Sequence, residues 1–236
     1  MAPLTLASWN IHKAVGSDGR RDPERILAVL EETRADIAIL QEADTRFGIR
    51  TSVLPAALLA EAGWRPVPFD PNRRALGWHG NAILVRGALD VRAYRRLALP
   101  TLEPRGAVLA DVTLGGTLLR VVGLHLDLSG LRRLEQVRRI LARLAAAPGD
   151  PPTVVAGDMN VWAPAEPCLD LLGRALRPLP LGPSFPARLP VAALDRIHVS
   201  HGIEPLSSGV HRSPLAARAS DHLPVVARLL LARPVA

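Results

Sequence analysis

The sequence predicts an α/β domain built on β-sheets, and three observations predict it. Short apolar runs rich in Val, Ile and Leu recur along the whole chain, as buried strands require. Helical spacing is confined to a few stretches, early and mid-chain. No linker or internal repeat divides the chain, so one domain over residues 1–236 is expected.

Each element has its own signal. "LTLASWN" alternates and reads as a strand over about residues 4–9. Asp22 followed by Pro23 starts a helix, an N-cap with proline at the first helical position, and Ile26, Leu27, Leu30 and Ala35 continue it. "DIAILQE" is a buried strand ending at Glu42, and "VLPAALLAEAG" is a second helix stopped by Gly63. "GNAILVRG", "DVRAYRRLAL", "AVLADVTL" and "TLLRVVGLHLDL" are strands, with a hairpin turn at Leu114–Gly116. Residues 130–147 form the clearest helix. Leu131, Leu134, Val137, Leu141 and Leu144 make its apolar stripe, and Arg132, Arg133, Arg138, Arg139 and Arg143 its solvated face. "PGDPP" ends that helix. "TVVAGDMN" is the next strand, "EPCLDLLGRAL" a short helix, and "RPLPLGPSFPARLP" a Pro-rich surface loop. "LDRIHVS", "IEPLSSGVH" and "LPVVARLLL" are the last strands.

At 236 residues and 48% hydrophobic, the chain builds a sizeable core and is not globally disordered. Aromatics are only 3%, so that core is mostly Leu, Val, Ile and Ala. The sole cysteine, Cys168, excludes an intrachain disulfide and a cysteine zinc cluster, and permits a reducing compartment. "MAPLTLASWN" lacks the basic and apolar regions of a signal peptide. No apolar run approaches the roughly 20 residues of a membrane span. A cytoplasmic location is the expectation. The formal net charge of +7 implies affinity for anions. Lys13 is the only lysine, however, and arginine use with abundant Ala and Pro fits a GC-rich genome equally well.

Polar residues stand where apolar strands end. Asn10 ends the first strand and Glu42 the second; Asn81 begins "GNAIL"; His125 lies late in "VVGLHLDL". Asp158 and Asn160 end "VVAGDMN", Asp195 begins "DRIHVS", and Asp221 and His222 precede the last strand. If like ends share one rim, the set is rich in oxygen and free of sulfur. That suits Mg²⁺, with Mn²⁺ as a substitute, better than zinc. Glu42 would be the chief ligand, helped by Asn10, Asp158, Asn160 or Asp221. A few carboxylates around Mg²⁺ are usually completed by substrate phosphate. Asp195 beside His222 would fix one imidazole tautomer and raise its basicity, and His125 would be a separate donor. Phosphate-ester hydrolysis follows as the reaction class.

"SWNIH", "ILQEAD", "GNAIL", "GLHLD", "GDMN", "LDRIHVS" and "SDHLPV" occur in that order. Together they resemble the motif set of the endonuclease/exonuclease/phosphatase superfamily, over about residues 4–230. The resemblance implies two mixed β-sheets packed face to face with helices outside, the DNase I-like αββα arrangement. It also implies that Glu42 binds the metal and Asn10 assists. Asp158 orients or activates the attacking water, Asn160 contacts phosphate or metal, and Asp195 pairs with His222. Asp221 is a further metal or water ligand. His125 matches the histidine of the DNase I-like and sphingomyelinase-like branches.

Plainer readings stand beside these. Asp158 and Asn160 make an Asx-turn, Asp195 a salt bridge with Arg196, and Gly80–Asn81 only a turn. Asn81 and Arg105 are candidate substrate contacts, although Arg105 pairs equally well with Glu103. His12, Trp78 and His79 are candidates to line the cleft, whereas His198, His201 and His211 read as structural or solvated. The expected function is a metal-dependent phosphodiesterase or nuclease acting on nucleic acid. The alternative is hydrolysis of a lipid head group or small phosphate ester, and the remote one is an inactive binding module.

Overall fold

Alternating apolar residues pair into two six-stranded sheets in the computed structural model, which describes residues 3–45, 50–71, 74–101 and 105–231. The first sheet contains β1 (Leu4–Asn10), β2 (Ile37–Gln41), β3 (Arg65–Pro66), β4 (Ala82–Val85), β11 (Ile203–Val210) and β12 (Val225–Leu231). The second contains β5 (Asp90–Leu97), β6 (Gly106–Leu114), β7 (Thr117–His125), β8 (Thr153–Asp158), β9 (Arg177–Pro178) and β10 (Asp195–Val199). Their orders are β11-β12-β1-β2-β4-β3 and β5-β6-β7-β8-β10-β9. Each sheet has one parallel pair, β1 with β2 and β7 with β8. Parallel neighbours need a crossover. The helices α1 (Pro23–Thr33) and α3 (Gly130–Ala145) provide it.

The two orders are the same topology drawn twice, with β11 and β12 standing to β1 as β5 and β6 stand to β7. Asn10 pairs with Gln41 as His125 pairs with Asp158. Carrying the registers outward, Asn81 matches Asp195, and His222 matches Arg105. The repeat is invisible in the sequence because equivalent positions carry different residues.

Strand alternation sorts the side chains into layers. Leu4, Leu6, Ile37, Ile39 and Ile83 meet Val108, Ala110, Val121, Val154 and Ile197 between the sheets. On the outer face of the first sheet, Ala7, Trp9, Ala38 and Leu40 pack under Ile26 and Leu30 of α1. On the second, Val122, Leu124 and Val155 pack under α3 and α4 (Pro167–Ala175). The result is the expected helix–sheet–sheet–helix stack. The sheets approach so closely that a Cβ on Gly123 of β7 would lie 2.7 Å from Ile39 Cγ2 of β2.

Local signals mostly hold. Asp22 caps α1 by accepting from the Arg25 amide at 3.0 Å. The helix ends at Thr33, and Ala35 lies beyond the left-handed Arg34. The second helix is shorter than its signal, Ala56–Glu61, because Pro55 begins it. Gly115 and Gly116 take the positive φ values of a two-residue hairpin turn.

Two expectations are corrected. Val137 is buried and Leu134, Leu141 and Leu144 pack against the core as expected, but Arg133, Gln136 and Ile140 share the buried face of α3, and Leu131 is exposed. Arg133 is drawn inward because its guanidinium forks onto Glu166 at 2.9 Å through both Nε and Nη2. The Pro-rich stretch is not merely a surface loop. Ser184 within it is fully buried and the Leu223 amide donates to its carbonyl at 2.8 Å.

Gly157 is held at φ +152°, and a Cβ there would fall 1.9 Å from the Leu124 carbonyl oxygen. Gly157→Ala should therefore cost more than about 3 kcal/mol in urea unfolding. Gly173, inside α4 with open space around it, is the control. Gly173→Ala should stabilise by roughly 0.5–1 kcal/mol, because it restricts the unfolded chain and favours helix. Equal effects of the two substitutions would contradict this account of the backbone.

Candidate active site

The sequence puts a polar residue at the end of each central strand, and packing brings those ends to one rim. Asn10 arrives on β1, and its Nδ2 donates to Asp158 Oδ2 across the sandwich at 3.1 Å. Asp158 ends β8 and is 2% exposed. His125 Nε2 lies 3.4 Å and His222 Nε2 3.8 Å from the same carboxylate oxygen. His222 Nδ1 bonds Asp195 Oδ2 at 2.8 Å, and Ser184 Oγ donates to that oxygen at 2.5 Å. Asp195 is fully buried. Its partner is His222, not Arg196, because successive strand residues face opposite sides of the sheet.

Asp158 and Asn160 do form a local turn, with the Asn160 amide donating to Asp158 Oδ1 at 2.9 Å. The turn also aims Asn160 Nδ2 at the Leu126 carbonyl, 2.9 Å away, so the plain and the functional placements coincide. Arg105 Nη1 lies against His125 Nε2 and donates to the Leu126 carbonyl at 3.2 Å. Its expected alternative partner, Glu103, falls outside the described residues. Asn81 is fully buried in the turn that closes on Trp78, and its Nδ2 donates to the Gly106 carbonyl at 3.1 Å. It therefore sits behind the mouth, where it ties the start of β4 to the start of β6.

Glu42 and Asp221 stand at the lip. Glu42 follows β2 in a left-handed backbone conformation, and Lys13 Nζ rests on its Oε2. Burial pushes the Glu42 carboxyl up. The Lys13 hydrogen bond and the neighbouring positive charges outweigh it and hold the group down at about 2. Asp221 is half exposed; Ser220 Oγ donates to it at 3.2 Å, and His12 Nδ1, which bonds the Val15 carbonyl at 3.1 Å, lies 4.0 Å away. The His12 amide donates to Asn10 Oδ1 at 3.1 Å, so the segment from Asn10 to Lys13 spans from Glu42 to Asp221.

The two histidines are driven apart. Burial lowers the His222 imidazolium, but the Asp195 carboxylate and its hydrogen bond more than reverse this and hold it up at about 10. Burial takes His125 down to about 4 against the pull of Asp158, with Arg105 opposing its protonation. Asp158, Asp195 and His222 also offer ligand atoms within 4.8 Å of one another. Asp195 is sealed from solvent and committed to His222 and Ser184, so the trio fits a proton-holding relay better than a cation cage.

Of the remaining candidates, His12 borders the lip, while the rings of Trp78 and His79 meet edge-on at 4.3 Å behind Asn81. His198 is buried, and His211 pairs with Glu32 at 2.8 Å. Sequence reasoning missed Lys13, Ser184 and Phe185, whose ring lies 4.8 Å from that of His222. The signal for Lys13 was available, since the chain's only lysine stands three residues after Asn10.

Solved structures share this fold. One is an endonuclease/exonuclease/phosphatase from Beutenbergia cavernae, 24% identical, with a TM-score of 0.75 over 100% of this chain and 74% of that one. Another is D. rerio TDP2 in complex with a single-strand DNA product, 17% identical, with a TM-score of 0.73 over 98% of this chain and 100% of that one. The uncharacterized protein YbhP of Escherichia coli K12 is 28% identical over 248 positions, covering 94% of each chain. The family model for the endonuclease/exonuclease/phosphatase family matches residues 7–222, and this chain belongs to that family.

Proposed function

We propose that the protein is a divalent-metal-assisted hydrolase of phosphate esters, acting by attack of an oriented water. One observation carries the reading: a single Asp158 oxygen faces Asn10, His125 and His222 at a mouth whose lip holds Glu42 and Asp221. The donor set fits a hard cation. It is all oxygen at the lip, and Glu42 is ionised and already attracts the ammonium of Lys13. Mg²⁺, or Mn²⁺ in its place, held by Glu42 with Asn10 and Asp221, would neutralise charge on a phosphoryl oxygen and on the leaving group.

The chain's own residues divide the remaining work. Asp158, braced by Asn10, orients the attacking water and accepts its proton. Asn160, fixed on the Leu126 carbonyl, borders the phosphate. His222, kept protonated by Asp195, offers Nε2–H to a phosphoryl oxygen. His125 stays neutral and is positioned by Arg105, whose charge also meets the phosphate. Asn81 is a positioning residue through the Gly106 carbonyl. An inactive binding module would have no use for these desolvated acid–base pairs. A cytoplasmic, reducing setting fits the single buried cysteine.

A nucleic-acid diester is favoured by the net charge of +7 and by the DNA product held in the TDP2 structure. The α3 arginines add less than their number implies. Arg133 is spent on Glu166, and Arg132 and Arg139 share Glu135. A lipid head group is the second reading, favoured by apolar side chains around the mouth.

Glu42→Gln should weaken Mg²⁺ binding in calorimetry at least tenfold and cut turnover of bis-p-nitrophenyl phosphate about a hundredfold or more, with an unchanged melting profile. Unchanged Mg²⁺ affinity would remove Glu42 from the site. In a double-mutant cycle, Asp195→Ala and His222→Ala should be strongly non-additive in kcat, whereas His125→Ala should add to either. Simple additivity of the Asp195 and His222 losses would sink the dyad.

A further inference from the structure

Seven large hydrophobic side chains are exposed among the described residues, and five stand on three segments that border the mouth. Scattered exposed apolar residues are ordinary; a concentration around one opening is not. Leu128 (58% exposed) and Leu131 (84%) follow Asp127 at the start of α3. Trp162 (62%) lies two residues after Asn160. Leu189 (73%) and Val191 (71%) lie on the loop after Phe185.

These segments are joined. Arg133 donates to the Leu128 carbonyl at 2.6 Å and forks onto Glu166, which fastens the start of α3 to the segment carrying Trp162. The Trp162 ring meets Phe185 edge-on at 5.5 Å, and Phe185 lies against His222. The Phe185–Ala192 loop is closed by backbone hydrogen bonds of 2.8–3.0 Å between its ends. The five side chains therefore stand on three segments, two of them tied through Arg133 and two through the Trp162–Phe185 contact that reaches His222.

Arginines border these apolar side chains, although Arg132 also shares Glu135 with Arg139. Arg132 and Arg188 stand next to Leu131 and Leu189. Of the carboxylates on these segments, Asp127 is buried and Glu166 is held by Arg133. Four of the five apolar side chains are aliphatic, which suits acyl chains better than stacked bases, whose platforms are aromatic. Trp162 beside aliphatic and arginine neighbours is the composition of an interfacial anchor. No described helix is long and apolar enough to cross a membrane, so any attachment of this kind is peripheral.

We propose that this lip docks on an anionic phospholipid surface, which selects the second substrate reading, a lipid head group, over the nucleic-acid diester. The proposal rests on the hydrolase reading for its chemistry, but docking itself needs neither metal nor turnover.

Trp162 reports on it directly. Trp9 and Trp64 are buried, Trp78 is half-buried, and Trp162 alone is exposed. The metal-free protein is mixed with vesicles of pure phosphatidylcholine, or of equal parts phosphatidylcholine and phosphatidylglycerol. Tryptophan emission should move to shorter wavelength on the anionic vesicles and be quenched by brominated acyl chains. Trp162→Phe should abolish both signals. The variant Leu131→Ser/Leu189→Ser/Val191→Ser should float with anionic vesicles roughly tenfold more weakly than the native chain. Pure phosphatidylcholine should also bind at least tenfold more weakly, since the attraction between surface arginines and anionic head groups is lost.

Absence of binding to anionic vesicles, or binding unaffected by the triple substitution, would overturn the proposal. Equal binding to both vesicle types would do the same. So would lip-dependent dimerisation in sedimentation, or quenching of Trp162 by an oligothymidylate but not by vesicles. Hydrolysis of a soluble diester with Mg²⁺ is scored separately, so failure of docking and failure of the catalytic reading are distinguishable.

Discussion

Everything at the rim depends on polar contacts that cross from one sheet to the other. Asn10 of the first sheet reaches Asp158 of the second, and His222 beside the first reaches Asp195 of the second. Asn81 beside the first reaches the Gly106 carbonyl of the second. Each of these three contacts joins one sheet to the other, and Asp158 also meets His125 of its own sheet. Apolar packing between the sheets is the condition for the site, and the site returns a demand on the packing. A buried charge left without its partner costs about 3–5 kcal/mol. The Asp195–His222 contact therefore fixes the relative placement of the sheets at the rim as well as a proton.

The repeated topology explains why the rim is so dense in chemistry. Both halves end the same strands at the same place, so two sets of strand termini converge. The two sets carry different chemistry: one half supplies Asn10, Glu42 and His222, the other His125, Asp158 and Asp195. The backbone bears the cost of this crowding. Of the seven non-glycine residues with positive φ among the described residues, His12, Lys13, Ala14, Glu42 and Asn160 lie beside the mouth, His79 lies behind it, and only Arg34 serves an ordinary helix end. Left-handed turns there re-aim side chains that a regular strand would send into the core.

Much of this was legible in the sequence, for physical reasons that differ by element. Strands β1, β2, β8 and β12 were readable because alternation and β-branched runs are local signals. Asp158, Asp195 and His222 were readable as strand-end polar residues. Their convergence came only from the family resemblance, because contacts such as Asn10 with Asp158 span most of the chain and leave no periodic trace. The face of α3 was legible only in part, for a related reason. Its leucines have the right spacing, but the Arg133–Glu166 fork rotates a charged residue inward, and no window over α3 alone contains Glu166. Ser184 was hidden inside a proline-rich stretch whose composition says loop while its backbone is tied to Leu223.

The central claim is that Asp195, from the opposite sheet, keeps His222 protonated. Folding then binds that proton more tightly than the unfolded chain does. The pair contributes its full stability below about pH 6.5 and gives it up as pH rises towards about 10. The direct measurement is an NMR titration of the histidine ring nitrogens in the metal-free native protein and in Asp195→Asn. His222 should hold its proton well into the alkaline range in the native chain and lose it several pH units earlier in the variant. A native His222 that titrates near 6.5, or one whose titration is unchanged by Asp195→Asn, would contradict the account.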